Sequence, residues 1–374
     1  MRNDGIFKLE FMSKGHKKQN SQKRGWFGKI ALPKLFLVIF LVVVIFIGII
    51  VGYFYLANQI NPNLKKFYKL IPLPIVQIEN NKFITSKQLF QDVEAVEKFY
   101  ESKDYTQSGQ RVDFSTSDGK IRLRIKEKDI LDKLIEDDIV RAVAKSKGIN
   151  ITSTEVDKAV EKSLLKAGSD YEKLALNLES SYGWTIDEFK NKIVKNQLYL
   201  QELFDWYKSN LKNSVDYKTA QKAKSKISVN GDNFDEVAKE FSSNNIINNN
   251  EEIPWIQKKY IIPEVAKVLS SMKEGEISNV IISSLGMHII MLEKKRETKN
   301  EQGETVEEFQ LKQIFIRGKS FIDWLQEQKK QMKVKILLKE YRWNKNSGEL
   351  DFADVSFSKT AQKIKIKSQG DPSL

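Results

Sequence analysis

The sequence predicts a single N-terminal transmembrane helix, a mainly helical region behind it, and then a smaller α+β region with short strands. Three observations predict this: one uninterrupted apolar run, a series of capped segments with helical apolar spacing, and a later stretch where short helices alternate with β-rich runs. The apolar run Leu35–Leu56 has 22 residues and no charge. As a helix rising 1.5 Å per residue it spans roughly 33 Å, enough for a bilayer core.

The flanks of this run predict its orientation. Residues 1–34 carry nine Lys/Arg against Asp4 and Glu10, and basic loops stay on the cytoplasmic side, so the rest of the chain is expected outside the cytoplasm. A cleaved signal peptide would need a core of about 7–15 apolar residues and a small-x-small site, and Tyr53-Phe-Tyr-Leu-Ala-Asn-Gln offers none. The expected location is the cell membrane, single-pass, with a cytoplasmic N-terminus.

Of the net charge of +13, +7 resides in the tail; beyond it stand 53 basic and 47 acidic residues, leaving +6. That is a mixed, solvated surface and not a nucleic-acid footprint. The basic tail suits orientation and contact with anionic lipid. With no cysteine and only His16 and His288, disulfides, iron–sulfur clusters, thiolate zinc and histidine-rich metal sites are excluded, and no cofactor or metal is expected. Phosphate-loop, nucleophile-elbow and His-Glu-x-x-His motifs are missing as well.

After a linker at residues 57–71, Pro72 and Pro74 stop any continuing helix. Ile75–Ile78 and Phe83–Thr85 flank Asn80-Asn81, a pair suited to a tight turn, and predict a small hairpin. Ser86 caps a helix to about Lys103. Residues 104–120 are polar, with a turn at Asp118-Gly119. Leu131, Leu134, Ile135, Ile139 and Val143 recur at helical spacing, and Gly148 stands where a C-terminal cap belongs. Thr152-x-x-Glu155 and Thr185-x-x-Glu188 have capping-box form and open two further helices, the second running to about Lys212. These segments fit a generic helical bundle. The runs Leu131-Asp-Lys-Leu-Ile-Glu, Thr154-Glu-Val-Asp and Gly183-Trp-Thr-Ile-Asp-Glu-Phe also resemble the N-terminal chaperone domain of SurA-type folding factors, over roughly residues 72–215.

Residues 219–295 read as a helix from Thr219 to Val229, a turn at Asn230-Gly231, a helix Phe234–Phe241, a short strand at Ile253–Ile256, a helix from Pro263, a turn at Glu274-Gly275, and two strands ending at His288–Leu292. This order, with Glu274-Gly-Glu-Ile-Ser followed by Gly286-Met-His-Ile-Ile, resembles the parvulin (PpiC-type) peptidyl-prolyl isomerases, whose domain is α+β with a four-stranded antiparallel sheet. The resemblance implies an apolar slot for a prolyl ring made by Ile253, Ile261 and Val265, where the family usually has Leu, Met and Phe. Ser283 takes the family's Thr position, His288 its last histidine, and Asn244 stands near its Cys/Asp position. The repetitive Ser243-Asn-Asn-Ile-Ile-Asn-Asn-Asn weakens that last assignment. Asn250-Glu251-Glu252 replaces the family's Gly-Gly-Asp.

The family's opening strand is missing in front of Thr219. Behind the last strand, past Gln302-Gly303, the run Leu311-Lys-Gln-Ile-Phe-Ile-Arg has its look. A hairpin from His288–Lys295 into Phe309–Arg317 would fill the vacancy, making the domain (219–318) a circular permutation with Gln313 in the first histidine's position. The alternative is an extra edge strand and an ordinary exposed Gln313. Phe321, Trp324 and Leu325 open a basic helix. By the same resemblance residues 319–340 return to complete the helical domain, with Val334–Leu338 pairing near Ile75–Ile78. Residues 344–374 are polar and lysine-rich and are expected to form a mobile tail.

The resemblance implies a membrane-anchored extracytoplasmic peptidyl-prolyl cis-trans isomerase and chaperone, whose partners are unfolded or exported polypeptides and their X-Pro segments. Two alternatives stay open: an inactive parvulin-like chaperone that only binds polypeptides, and an envelope scaffold with a fixed partner.

Overall fold

The computed structural model describes residues 32–57, 60–61, 64–80, 82–102, 113–243, 253–299 and 303–367. These fall into two compact units divided after Phe54. Most of the basic tail, Asn81, Asn244 and Gln302 lie outside the described residues. In the first unit, α1 (Leu32–Leu56) is a 25-residue helix, long and apolar enough to cross a membrane by length and composition. Its side chains from Phe36 to Ile49 are exposed.

The second unit starts with α2 (Lys65–Leu70), β1 (Pro74–Ile78) and β2 (Lys82–Thr85). β1 and β2 form the expected hairpin, in which Glu79 adopts φ 51°. That left-handed backbone lets Glu79 bond Lys333 twice: its N–H donates to the Lys333 carbonyl at 2.8 Å, and its carboxylate accepts from the Lys333 N–H at 2.9 Å. The contact aligns β7 (Val334–Ile336), which pairs antiparallel with β1, so the sheet order is β2-β1-β7 and the return of the chain expected from sequence is present.

Helices follow: α3 (Ser86–Ser102), α4 (Ser117–Ser146), α5 (Ser153–Ala167), α6 (Tyr171–Tyr182), α7 (Ile186–Phe189) and α8 (Lys195–Leu211). Both capping boxes form, at Thr152/Glu155 and Thr185/Glu188. Leu131, Ile135 and Ile139 are fully buried along α4.

Two local readings need correction. The helix expected from about Lys128 begins a full three turns earlier, because Thr116 caps it by accepting from the Gly119 N–H at 3.0 Å. Asp118-Gly119 is thus the first turn of α4 and not a loop. Gly119 is there because a Cβ would stand 1.9 Å from the Asp113 carbonyl oxygen. The single helix expected from Thr185 is also interrupted, by a π-helical turn at Lys190–Val194.

The α+β part consists of α9 (Val215–Lys226), α10 (Phe234–Phe241), β3 (Ile256–Gln257), α11 (Pro263–Leu269), β4 (Ile281–Ile282), β5 (Met287–Lys299) and β6 (Thr305–Ile316). Its sheet is antiparallel in the order β3-β6-β5-β4. Alternation along β5 splits the sheet into two covered faces. Met287 and Ile289, with Ile314 and Ile316 of β6, pack with Ala220, Phe234 and Val237 of α9 and α10. Ile290 and Leu292, with Phe309, pack with Val265 and Leu269 of α11.

α12 (Phe321–Gln331) opens with a Ser320/Asp323 capping box. The expected mobile tail from 344 is wrong for residues 344–367: β8 (Tyr341–Asn344) and β9 (Glu349–Phe352) pair as a hairpin, and α13 (Val355–Lys367) follows. Tyr341, Leu350 and Phe352 are buried. Asp132 of α4 accepts from the Leu350 N–H at 3.0 Å. Three apolar side chains spread through a lysine-rich segment suffice to dock it, although its composition reads as polar.

Candidate functional site

The site lies on the α11 face of the sheet. Directly opposed residues of two antiparallel strands share a face, and the register sets Ile281 against His288, His288 against Phe315, and Ile290 against Gln313. β4, β5 and β6 therefore bring Ser283, His288, Gln313 and Phe315 together at one end of this face. α11 covers the other end. A register shift between Leu292 and Lys294 follows, and beyond it β3 joins β6 at Phe309.

His288 is 3% exposed and engaged on both ring nitrogens. Its Nε2 lies 2.7 Å from Ser283 Oγ and its Nδ1 3.3 Å from Gln313 Oε1. The partners fix the tautomer. Gln313 Oε1 can only accept, so Nδ1 carries the proton and Nε2 accepts from the Ser283 hydroxyl. Ser283 Oγ in turn accepts from the N–H groups of Leu285 at 3.0 Å and Gly286 at 3.3 Å. Gln313, His288 and Ser283 thus form one continuous hydrogen-bond chain. Burial holds the His288 pKa below the ordinary histidine value, with the Gln313 bond opposing the shift, so the ring is neutral at pH 7.

Next to this chain lies the apolar cluster. Val265 is 1% exposed and Phe309 fully buried, while Ile261 and Leu311 pack on the cluster half-buried. Of the three slot residues read from sequence, Ile261 and Val265 share this cluster. Ile253 is placed through its carbonyl, which accepts from Gln310 Nε2 at 2.6 Å. Asn244 lies outside the described residues.

Sequence reasoning missed Phe309 and Phe315. The signal was in the strand itself: a period of two from Gln313 puts both on its face. Phe315 stands with its ring centroid 5.0 Å from that of His288, tilted 38°.

Residues 201–294 match the rotamase family, described as the PPIC-type PPIASE domain. This chain carries a PPIC-type domain. The match ends at Lys294, so β6, which supplies Gln313, Phe309 and Phe315, lies beyond it. Among similar proteins, the foldase protein PrsA 2 of Bacillus cereus is 28% identical over 188 residues, 46% of this chain and 62% of its own length. The foldase protein PrsA of a Geobacillus species is 28% identical over 192 residues, 47% of this chain and 68% of its own. A chaperone SurA from Cupriavidus pinatubonensis is 26% identical over 119 residues, 31% of this chain and 23% of its own. The PPIC-type domain is thus accompanied by homology to SurA and PrsA, and the matched stretches span between about a quarter and two thirds of these relatives.

What the arrangement can do follows from its parts. Rotation about an X–Pro bond crosses a barrier of about 20 kcal/mol because the amide loses its resonance. A group that bonds the twisted amide better than the planar one lowers that barrier. The arrangement presents an apolar wall and the amide of exposed Gln313, whose NH₂ has two donors while its oxygen is held by the buried, neutral imidazole of His288.

Proposed function

We propose that this protein is a membrane-anchored foldase that catalyses cis-trans isomerisation of X–Pro bonds in unfolded or exported polypeptides. α1 anchors it, the basic residues before Leu35 stay in the cytoplasm, and the remainder works outside. Residues 72–215, completed by 319–340, act as the SurA-like helical chaperone domain, and 219–318 as the parvulin-like domain.

The observation that carries this reading is the Gln313–His288–Ser283 chain beside an apolar wall, in a segment matching the rotamase family. Ile253 and Ile261 receive the prolyl ring, with Val265 backing Ile261 from the core of the same cluster. Gln313 donates to the carbonyl as it leaves the amide plane, and His288, itself held by Ser283, keeps Gln313 in place. β6 takes the place of the parvulin opening strand in a circularly permuted domain, a reading supported by its antiparallel pairing with β5 inside the sheet. Asn244 belongs to the same site on the resemblance alone.

A protease-coupled assay of the full chain in detergent micelles, on an Ala-Pro peptide, tests this. A rate above buffer that falls about 10-fold in Gln313→Ala is expected, the worth of one hydrogen bond of about 1.4 kcal/mol. No rate above buffer would sink the enzyme reading. One observation favours a second reading, a chaperone that binds polypeptides without turnover: His288 is 3% exposed with both nitrogens engaged, and so offers a substrate nothing directly. Binding of X–Pro peptides without catalysis would establish it.

A further inference from the structure

We propose that the outer face of α13 is a membrane-surface contact, taking the headgroups of anionic lipids on the extracytoplasmic side of the bilayer and so holding the folded body against the membrane. The inference rests on the reading of α1 as an anchor and goes beyond it.

It follows first from where α13 is fastened. Tyr55 and Leu56, the last residues of α1, belong to the second compact unit, and the Tyr55 hydroxyl donates to the Pro74 carbonyl at 2.9 Å. Farther on, the buried Ile60 donates its N–H to Glu340 Oε2 at 3.3 Å. The other oxygen of Glu340 accepts from Arg124 Nε at 2.7 Å, and the Arg124 guanidinium lies 3.8 Å from the ring centroid of Phe357 in α13. The chain from Leu56 to Ile60 reaches at most about 14 Å, so only that short piece and two side chains separate the end of α1 from α13. A second fastening lies farther along α4, where both carboxylate oxygens of Asp129 accept from Lys365 Nζ at 2.7 Å. The two together keep α13 at the end of the body where the chain leaves the membrane.

The same fastenings decide which face of α13 is left open. Phe357, Ala361 and Ile364 recur at helical spacing and are buried or half-buried, with Lys365 beside them on Asp129. Val355, Lys359, Lys363 and Ile366 fall on the opposite side of the helix and are exposed, Val355 to 52% and Ile366 to 63%. Lys359 and Lys363 make no ion pair among the described residues, and the helix sequence contains no acidic residue. In a body that elsewhere mixes both signs, this is a local excess of positive charge. Apolar side chains flanked by lysines on one face match a bilayer interface, where the apolar groups enter among the acyl chains and the ammonium groups reach the lipid phosphates. An acidic polypeptide would answer the lysines alone. So few groups bind a membrane weakly from solution, but tethered to a helix already in the bilayer they act at an effective concentration on the order of millimolar.

The chain has no cysteine, so Ile366→Cys gives a single attachment point for a spin label. The full-length variant would be placed in bilayers of phosphatidylcholine, alone or mixed equally with phosphatidylglycerol, and the label's collisions with oxygen and with a water-soluble nickel complex measured. In the anionic bilayer the label is expected to be shielded from nickel and open to oxygen. In phosphatidylcholine alone, or in the anionic bilayer at about 1 M salt, nickel should reach it. Lys359→Gln and Lys363→Gln should each lower the ratio of docked to undocked label roughly 5-fold, with thermal melting to confirm that both variants are folded. A Val43→Cys label reports on α1 separately. If it is shielded from nickel while the Ile366→Cys label is reached equally in both bilayers, the docking of α13 is overturned and the anchor stands. If nickel reaches Val43→Cys, the anchor reading fails and this one with it. Spin–spin broadening at Ile366→Cys, marking a second copy, or shielding by an added acidic polypeptide without anionic lipid, would also overturn the assignment.

Discussion

The helical body from α3 to α8 and the sheet body from α9 to β6 solve burial in opposite ways. The helical body surrounds a cleft of about 1040 Å³ with charges that neutralise one another. Asp92 pairs with Lys192 of the π-helical turn, and Asp138 with Lys82 at 2.7 Å and Arg141 at 3.2 Å. Asp137 accepts from Asn196 at 2.9 Å, and Asn196 accepts from Arg141 at 2.7 Å. The sheet body packs aliphatic and aromatic side chains on both faces and buries Ser278, Ser283, His288, Glu308 and Gln310 among them, all but one of them uncharged groups at pH 7. The polar groups of the first are mainly charges answered by opposite charges, whereas those of the second are mostly neutral and hydrogen-bonded to backbone or to one another.

The comparison breaks most visibly in the sheet. Phe309→Ala should cost about 3–5 kcal/mol, and urea melts followed by segment-resolved hydrogen exchange should show β5 and β6 opening before α4. Simultaneous opening of both bodies would show that they share one cooperative core. In the helical body, Lys192→Ala leaves Asp92 buried without its cation and should cost about 1–3 kcal/mol. Replacing both, as Asp92→Leu with Lys192→Met, should recover most of that loss, since an apolar pair carries no desolvation penalty. Chemical denaturation of the two variants checks it, and equal losses would mean that the ion pair is not the cause. Next comes Gly119→Ala, whose Cβ meets the Asp113 carbonyl; a loss of about 1–3 kcal/mol is expected, read as a lower melting temperature.

Acid acts on the two bodies with opposite sign. Burial holds His288 below its ordinary pKa, so between that lowered value and the unfolded value of about 6.5 the unfolded chain binds more protons. Stability from this group is complete above about pH 6.5 and is lost as the pH falls through the window. Burial raises Asp92 and Asp137, so their contribution grows on acidification and is lost as the pH rises through their folded values. Exchange of β5 and β6 amides, corrected for intrinsic rates, should therefore quicken from pH 7 to 5 relative to α4, and His288→Gln should abolish the difference. The smallest effect is expected at a cap: Thr152→Ala should cost about 1 kcal/mol, with fraying confined to the start of α5. A loss spread over both bodies would show that the α5 cap supports more than its own helix.

Helix starts were legible because their signals are local. Thr152 and Glu155, or Thr185 and Glu188, satisfy each other's backbone within one turn. The start of α4 was misread although its Thr116 cap is as local, because Asp118-Gly119 has the form of a turn and the approach of Asp113 that requires the glycine leaves no mark in the sequence. The docked hairpin β8–β9 escaped for a related reason: Tyr341, Leu350 and Phe352 are apolar points in a polar segment, and only the Asp132 contact with Leu350 shows what they dock against. At the site, His288, Ser283 and Gln313 were named from the positions they share with the parvulin pattern. Phe315, beside them in the same strand, was passed over because nothing local distinguishes a core phenylalanine from one that stays half-open.

By itself the sequence determined the apolar helix, the absence of thiol chemistry, the capped helices and the strand runs, since each depends on residues a few positions apart. The tertiary structure alone decided that β6 lies between β3 and β5 and that Gln313 closes a hydrogen-bond chain through His288 to Ser283. Those groups are 25 and 5 residues apart along the chain. The register of a long hairpin, set by packing on both faces of the sheet, is what makes them neighbours.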